Sequence, residues 1–317
     1  MQSAVRYRQD RGGRRLVRMT DSMLLGEVEI TRVFEQRTAA MPRESVFPDS
    51  AQHWQDNRDL LVPDFWQPDT DQVLFSMQTW VLRSGGRTIL VDTGIGNNKE
   101  RPYMPLFAHL DTDYLGNLAR AGVRPEDVDV VVCTHVHGDH VGWNTRLVDR
   151  EWVPTFPNAR YVFSRADFDY WNPDNARTTR SGRRMQNVFE DSVAPVHRAG
   201  QTVLWEEQYE IDGALRLTPA PGHTPGSAVL TLRSGTDQAV FVGDMLHSPV
   251  QLAVPDCGPS FDEAPAQAAD TRRRVLGWAA DNTALVLPAH FPGTGAAEVR
   301  RAGTGFAVQS WAGFSPA

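Results

Sequence analysis

The chain has 317 residues, of which 41% are hydrophobic and 22% are charged, and these proportions are typical of a soluble globular protein. The formal net charge of −7 disfavours nucleic acid as a partner, because nucleic-acid binding depends on an excess of Lys and Arg that neutralises phosphates. No apolar run reaches the length of about 18 residues that a transmembrane helix needs, so no membrane partner is predicted.

The N-terminal stretch is basic and lacks the apolar core of a secretory signal. We predict that residues 1–22 form a disordered lead-in, with Met19 or Met23 as an alternative start, and that the protein is cytoplasmic. Cys133 and Cys257 are the two cysteines, so a disulfide framework is excluded. Cys133 lies in an apolar run and is predicted to be a buried thiol. Any metal site must therefore use nitrogen and oxygen ligands.

Short β-branched runs bounded by Gly, Pro or Asp predict strands, and apolar residues at helical spacing predict helices between some of them. The helices are predicted over Leu115–Ala121, which stops at Gly122, and over Ala264–Ala280. This mixture of elements indicates α/β layers around a central sheet. The predicted strands are Val73–Arg83, Thr88–Asp92, Val128–Thr134, Arg160–Ser164, Ala214–Pro219, Ala228–Arg233, Ala239–Val242 and Ala284–Pro288.

Two long segments show no regular period and are predicted to be loops. Phe47–Asp69 is rich in Pro, Asp and Trp. The polar segment Asn172–Val193 carries four arginines, Arg177, Arg180, Arg183 and Arg184. Each segment is either a solvated connection, which is the favoured interpretation for the second, or a lid over an active site.

The stretch VVCTHVHGDHVGWN places four potential metal ligands directly after an apolar strand. Residues two apart in an extended segment point the same way, so His135 and His137 can converge on one ion. Asp139 and His140 follow where the chain turns and can face a second ion. Burying three histidines and a carboxylate without a metal would be costly, and we therefore predict a metal site.

Three further donors also follow predicted strands. His223 lies in PAPGHTPGS, Asp244 begins GDMLHS after AVFVG, and His290 follows LVLP within ALVLPAHFPG. Each of them alone is as well explained as a loop residue. Together with the first stretch they place donors at the ends of four strands, from which they can meet at one edge of a sheet. Nitrogen and carboxylate ligands suit zinc, with iron, manganese and cobalt as alternatives.

This pattern resembles the metallo-β-lactamase superfamily. Its HxHxDH motif matches His135 to His140, its later ligands match the three donors above, and LVDTGIG (Leu90–Gly96) also fits. The resemblance covers roughly Val73 to Pro292. It implies a four-layer αβ/βα sandwich, the metallo-β-lactamase fold, as a single catalytic domain over residues 23–317, with the site at one edge of two facing sheets.

The resemblance also implies two divalent metal ions, zinc being the expected metal, and a role for each donor. Asp92 is implied to orient a ligand histidine from behind the site. The implied ligands are His135, His137 and His223 for the first ion, Asp139, His140 and His290 for the second, and Asp244 as a bridge between both.

The residues nearest the site are most similar to the branch that holds the N-acyl-homoserine lactonases and methyl parathion hydrolase. Lactonases carry a tyrosine three residues after the bridging aspartate. Here that residue is His247, which is nearer to the methyl parathion hydrolase pattern. His247 is predicted to contact the substrate or the leaving oxygen, with a polar rim residue as the alternative. Asp139 or Asp244 is the predicted proton carrier to the leaving group.

The predicted function is therefore that of a binuclear metal-dependent hydrolase of a small molecule. Two adjacent ions lower the pKa of a shared water toward neutrality, and the expected target is a lactone or other carboxylic ester, with organophosphate triesters as a side activity. Hydrolysis of β-lactams, thioesters or phosphodiesters is an alternative within the fold. A mononuclear-iron dioxygenase of glutathione persulfide, or a protein whose metal site only binds, would also be compatible with the motif. A homodimer is left open.

Aromatic side chains near the motifs are candidates for the wall of a substrate pocket, because such pockets are mostly apolar. Packing in the core is an equally good interpretation for each of them except Phe291, which adjoins a ligand. The candidates are Trp54, Phe65, Trp66, Trp143 and Phe291.

Overall fold

Two β-sheets face each other across an apolar core in the computed structural model, which describes residues 20–175, 180 and 185–316. The strands are β1 Thr20–Leu25, β2 Val28–Pro42, β3 Trp66–Gln67, β4 Gln72–Ser84, β5 Arg87–Val91, β6 Val130–Val132, β7 Thr145–Val148, β8 Glu151–Pro154, β9 Arg160–Ser164, β10 Thr202–Trp205, β11 Tyr209–Glu210, β12 Leu215–Pro219, β13 Ala228–Ser234, β14 Asp237–Gly243, β15 Leu285–Pro288, β16 Ala297–Ala302, β17 Gly305–Trp311 and β18 Ser315–Pro316.

Helices pack outside the sheets. They are α1 Arg43–Val46, α2 Ala51–Asp56, α3 Arg58–Leu61, α4 Tyr114–Arg120, α5 Arg165–Trp171, α6 Ala194–Arg198, α7 Val250–Ala253 and α8 Pro265–Asp281, with a π-helical turn at Phe189–Val193. Among the described residues, no helix is long and apolar enough to cross a membrane.

The first sheet has the strand order β10-β9-β6-β5-β4-β2-β1-β18, with β3 paired to β4, and the second has the order β11-β12-β13-β14-β15-β16-β17. Strands β7 and β8 form a separate hairpin. Pairing is parallel from β5 through β6 and β9 to β10, and also between β14 and β15. The remaining ladders are antiparallel, so both sheets are mixed.

Alternation along the strands divides the core into three apolar clusters, as expected when successive side chains point to opposite faces. Val130 and Val132 of β6 pack between the sheets, whereas Val131 packs with α4 on the outer side. In the second sheet, Phe241 packs between the sheets and Val240 packs outward in the cluster that contains α8. Three cores between four layers confirm the predicted αβ/βα sandwich.

All eight predicted strands and both predicted helices are present, with β9 at the predicted bounds. The long strand β2 was not predicted. Its apolar pattern is interrupted by Arg32 and Glu35, both of which are buried. Glu35 accepts hydrogen bonds from the amides of Ile95 (2.6 Å) and Gly96 (3.1 Å), and Arg32 donates one to the carbonyl of Gly293 (2.7 Å). The two charged side chains therefore hold loops that lie beside the predicted metal ligands.

The structure corrects two predicted segments and describes part of a third. Strand β1 begins at Thr20, so a disordered lead-in that reaches residue 22 is wrong by three residues, while residues 1–19 lie outside the described part of the chain. The predicted loop Phe47–Asp69 instead contains α2 and α3, with Trp54 buried. In the arginine-bearing segment, Arg177, Arg183 and Arg184 lie outside the described residues, and Arg180 donates to the Asp262 carbonyl at 2.9 Å.

The strand ends explain where the polar residues gather. Strands β5 and β6 run parallel in one sheet, and β12, β14 and β15 share one direction in the other. Each of the five strands is followed, within a few residues, by a predicted metal ligand or by Asp92. The two sheets therefore present these side chains at one common edge.

Candidate metal centre

The seven predicted ligands, here called the donor cluster, lie together in two groups. The donor atoms of the first group lie within 4.8 Å of one another, and so do those of the second. All seven side chains are buried except Asp139, which is half-buried. The first group is His135, His137, His223 and Asp244, and the second is Asp139, His140 and His290.

Asp244, a member of the first group, also reaches the second, because its two carboxylate oxygens face different pairs of histidines. Oδ2 is 3.3 Å from His223 Nε2 and 3.6 Å from His135 Nε2. Oδ1 is 3.0 Å from His140 Nε2 and 2.9 Å from His290 Nε2. This is the arrangement that a carboxylate needs to touch two ions at once.

Two pairs of imidazole nitrogens also face each other closely. His140 Nε2 is 3.1 Å from His290 Nε2, and His223 Nε2 is 3.0 Å from His137 Nδ1. A tetrahedral zinc ion with nitrogens at about 2.0–2.1 Å brings two of its ligand nitrogens to about 3.4 Å from each other. The separations and the donor types therefore fit a pair of divalent ions. The Nε2 atom of His135 is also buried and has no hydrogen-bond partner among the described residues.

Acceptors behind the cluster fix the other ring nitrogen of three of these histidines. The Nδ1 atom of His140 lies 2.8 Å from Asp92 Oδ2, and that of His290 lies 3.0 Å from the carbonyl of Ser76. Asp92 also accepts from the amide and the hydroxyl of Thr134, both at 2.8 Å. Because Nδ1 donates to these acceptors, Nε2 presents its lone pair to the centre of the cluster. Asp92 thus contacts His140, one of the histidines that the resemblance implies to be a ligand.

The third histidine is oriented by Asp262, which the sequence analysis missed. His223 Nδ1 lies 2.9 Å from Asp262 Oδ1, while Arg272 donates to Asp262 Oδ2 at 3.2 Å. The side chains of Asp262 and Arg272 are both completely buried. Asp262 stands 39 positions after His223 in a segment without a recognisable motif, so only the folded chain reveals the pair.

A second unpredicted carboxylate, Asp167 of α5, joins the two ligand-bearing loops. It accepts from the amide of Val136 at 2.7 Å and from the amide of Gly226 at 2.8 Å. Val136 lies between His135 and His137, and Gly226 lies three residues after His223. Asp167 therefore fixes the backbone on both sides of the first group of donors.

Burial and carboxylates act in opposite directions on the histidines. Burial lowers the pKa of His135 and of His137 well below its usual value, which keeps these imidazoles neutral and able to bind a cation. Burial also lowers the pKa of His223, but Asp244 and Asp262 outweigh it and raise that pKa to about 9. Burial raises the pKa of Asp244, yet the surrounding histidines hold it well below the usual range. Asp244 therefore stays ionised, and without a metal His223 is protonated at neutral pH, so a cation bound at His223 Nε2 would displace that proton.

A cavity of about 400 Å³ opens onto the donor cluster and has a largely apolar wall. The wall includes Met41, Phe75, Met77, Met104, Phe107, Met185, Val188 and Phe261, and the floor includes His137, Asp139, Asp244, His247 and His290. The volume falls within the range of small-molecule sites.

None of the five aromatic residues predicted for this wall lines the cavity. All five are buried in the core instead: Trp54, Phe65, Trp66, Trp143 and Phe291. Trp143 stacks on Tyr114 at 5.1 Å and donates to Glu35 at 2.7 Å, and Phe65 packs edge-on against Phe291 at 5.3 Å. Their large apolar surfaces are buried in the core, and the cavity wall is formed by methionines and by other phenylalanines instead.

His247 lies on the cavity floor beside Asp244. Its Nε2 is 3.0 Å from Asp244 Oδ2, and its Nδ1 is buried without a hydrogen-bond partner in the part of the chain that the structure describes. Its backbone amide donates to Gln251 Oε1 at 2.6 Å, which fixes the turn after Asp244. Burial lowers the pKa of His247, although Asp244 opposes this. His247 also forms a third group of donors with Asp244 and His290, so the geometry is compatible with contact to either a metal or a substrate.

Comparison with known proteins identifies the family to which this chain belongs. The sequence model of the metallo-beta-lactamase superfamily matches residues 75–290. Metallo-beta-lactamase domain-containing protein 1 of Xenopus laevis is 28% identical over 213 residues, which cover 67% of this chain and 69% of that protein. An N-acyl homoserine lactonase of a Bacillus species is 24% identical over 174 residues, or 51% of this chain and 60% of that protein.

A solved structure of AidC, a dizinc quorum-quenching lactonase with a homoserine product, shares the fold. Its TM-score is 0.75 at 22% identity, and the alignment covers 93% of this chain and 99% of that chain. The match to the superfamily model spans the whole donor cluster, from β4 to His290. The chain therefore belongs to the metallo-β-lactamase superfamily, and its fold and its potential metal-binding side chains are those of a metal-dependent hydrolase.

Proposed function

We propose that this protein is a binuclear metal-dependent hydrolase that cleaves a lactone or another carboxylic ester, with organophosphate triesters as a side activity. The observation that carries the proposal is the position of Asp244, whose two oxygens face two separate groups of donors. A single ion would leave one of these groups unused. The similarity to a dizinc lactonase and to N-acyl homoserine lactonases supports zinc as the metal and an ester bond as the target.

The proposed ligands follow the two groups. His135, His137 and His223 would hold one ion, Asp139, His140 and His290 the other, and Asp244 would touch both. Two bound ions would supply Lewis acidity and a water of lowered pKa.

The remaining chemistry belongs to side chains on the cavity floor. Asp139 is half-buried and lines the cavity, so it can carry a proton to the leaving oxygen. His247 lines the cavity beside Asp244 and can donate a hydrogen bond to the substrate oxygen that gains charge. The apolar wall excludes water from the reacting bond, which strengthens both interactions.

Metal analysis together with a substrate panel tests this proposal. Protein purified without added metal should contain close to two ions per chain, mostly zinc, because seven donors exceed the four ligands that a single zinc ion takes. It should hydrolyse esters or lactones faster than β-lactams or phosphodiesters, lose that activity with a chelator and regain it with zinc. A content near one ion, dominated by iron, would contradict the proposal and favour a persulfide dioxygenase.

A further inference from the structure

The part of the cavity wall that the structure describes carries almost no available positive charge. Among the described residues that line it, Arg101 is the one cation and no lysine is present. Four methionines and three phenylalanines are among the other residues of the wall. The third acidic residue of the lining, besides the two of the donor cluster, is Glu263, which accepts from the hydroxyl of Tyr170 at 2.8 Å.

The charge of Arg101 is already paired with Asp191, which is buried and does not line the cavity. Its two terminal nitrogens donate to the two oxygens of Asp191, at 2.6 Å and 3.0 Å. The side chains of Arg101 and Asp191 are only 4% and 7% exposed. A bidentate pair of this kind uses the two terminal nitrogens with which a guanidinium would otherwise bind a carboxylate or a phosphate. Arg101 Nε is buried and has no hydrogen-bond partner among the described residues.

Neighbouring residues hold Asp191 in place from behind the wall. Lys99 is completely buried and does not line the cavity. Its Nζ lies 3.4 Å from Asp191 Oδ1 and donates to the carbonyl of Asp191 at 3.1 Å and to the hydroxyl of Thr145 at 2.6 Å. The hydroxyl of Ser192 donates to Asp191 Oδ1 at 2.5 Å. Asp191 is thus positioned to keep its oxygens on Arg101.

Arg101 is also fixed against the metal-binding motif. It packs over Gly138, between His137 and Asp139, so closely that a Cβ atom at position 138 would lie 3.1 Å from Arg101 Nε and 3.4 Å from a methyl of Val188. The guanidinium therefore has one well-defined place, at the junction of the cavity wall and the donor cluster.

On the basis of the proposed hydrolase function, we propose that the Arg101–Asp191 pair restricts the cavity to substrates whose acyl part is uncharged and apolar. Asp191 is then a specificity-determining residue, because it withholds the guanidinium of Arg101 from an anionic substrate. Along the described part of the wall, a substrate anion would meet apolar side chains, the carboxylate of Glu263 and a guanidinium whose two terminal nitrogens are already paired. Burying a charge without a partner is strongly unfavourable.

A matched pair of esters tests the inference directly. At pH 7.5 we expect the metal-loaded protein to show at least a tenfold higher kcat/KM for 4-nitrophenyl hexanoate than for mono-4-nitrophenyl adipate, which carries a carboxylate at the end of the same acyl chain. In Asp191→Asn the ratio should fall by about tenfold or more, the scale of one hydrogen bond to a charged group. Asp281→Asn is the control, because Asp281 forms an equivalent bidentate pair with Arg301 on the surface (2.9 and 2.8 Å), and it should leave the ratio unchanged.

Calorimetry on the same protein measures the binding of two anilides that are not cleaved, hexananilide and adipanilic acid. These binding measurements separate this inference from the proposed function. Weaker binding of the anionic anilide, with no turnover of either ester, would refute the hydrolase and support the selectivity. Equal binding of both anilides would overturn the selectivity whatever the turnover. Should Asp191→Asn fail to fold, Arg101→Met/Asp191→Asn removes both charges together, and retention of the preference for hexanoate is then expected. Preference for the adipate in that variant would overturn the inference.

Discussion

The donor cluster and the cavity wall adjoin each other but are built in opposite ways. In the cluster, His140, His223 and His290 each have their second ring nitrogen held by an acceptor at 2.8–3.0 Å. The wall, in contrast, includes four methionines, and methionine side chains adapt readily to different shapes. The comparison indicates that the protein itself holds the ring nitrogens of the donor cluster in place, whereas the methionines of the wall can adapt to what they contact. Substitutions in each of the two regions test this division.

The largest effect is expected at the residue that joins the two groups of donors. Asp244→Ala should lower kcat by more than about a thousandfold, because the spacing of the ions and their activation of water depend on the bridge. Thermal stability should change far less. Metal content, ester kinetics and melting temperature measured together check this, with Asp237→Ala at the exposed start of β14 as the control. Near-normal activity with full metal content would show that Asp244 is not the bridge.

Substitutions of His247 test whether this side chain on the cavity floor binds a metal or contacts the substrate. His247→Ala should lower kcat/KM about a hundredfold while both metals are retained, since one hydrogen bond to the oxygen that gains charge is worth about 2.7–4 kcal/mol. His247→Tyr, which introduces the residue found in lactonases, should raise lactone turnover relative to other esters. Loss of metal in the Ala variant would make His247 a ligand. Unchanged kinetics would show that His247 does not contribute to catalysis.

The hydrogen bond that orients His223 can be weakened without substituting a predicted ligand. Asp262→Asn should reduce zinc affinity by about tenfold to a hundredfold, as is usual when the partner of a ligand histidine is lost. Competition with a chromophoric chelator measures the affinity. Asp256→Asn, a change at an exposed residue paired with Arg273 in the same region, should have no effect. A loss of stability at unchanged zinc affinity would assign Asp262 to folding alone.

The smallest effect is expected in the wall. Met41→Ala removes the apolar equivalent of about two methylene groups, each worth about 0.8 kcal/mol when fully buried. Because Met41 is only half-buried, kcat/KM for hexanoyl esters should fall by about threefold to tenfold, and that for acetyl esters should change less. Leu24→Ala, at a side chain that is 69% exposed, serves as the control. An equal loss for both acyl lengths would place the acyl chain elsewhere.

The sequence alone was sufficient for eight of the strands, for the helices α4 and α8 and for the donor cluster, but it missed β2 and the helices α2 and α3. The correct predictions depend on short-range regularities: strands alternate in polarity, and residues that follow strand ends of the same direction meet at one edge of a sheet. His135, His137, Asp139 and His140 lie within six positions of one another, so their convergence follows from the local chain.

The tertiary structure alone decided what surrounds the ligands. Asp262 reaches His223 across 39 positions, and Arg101 reaches Asp191 across 90; contacts over such distances leave no period in the sequence. The prediction that five aromatic residues line the cavity was wrong for a related reason. A tryptophan or phenylalanine gains as much by packing in the core as by lining a cavity, so its position is set by which neighbours the whole fold brings to it.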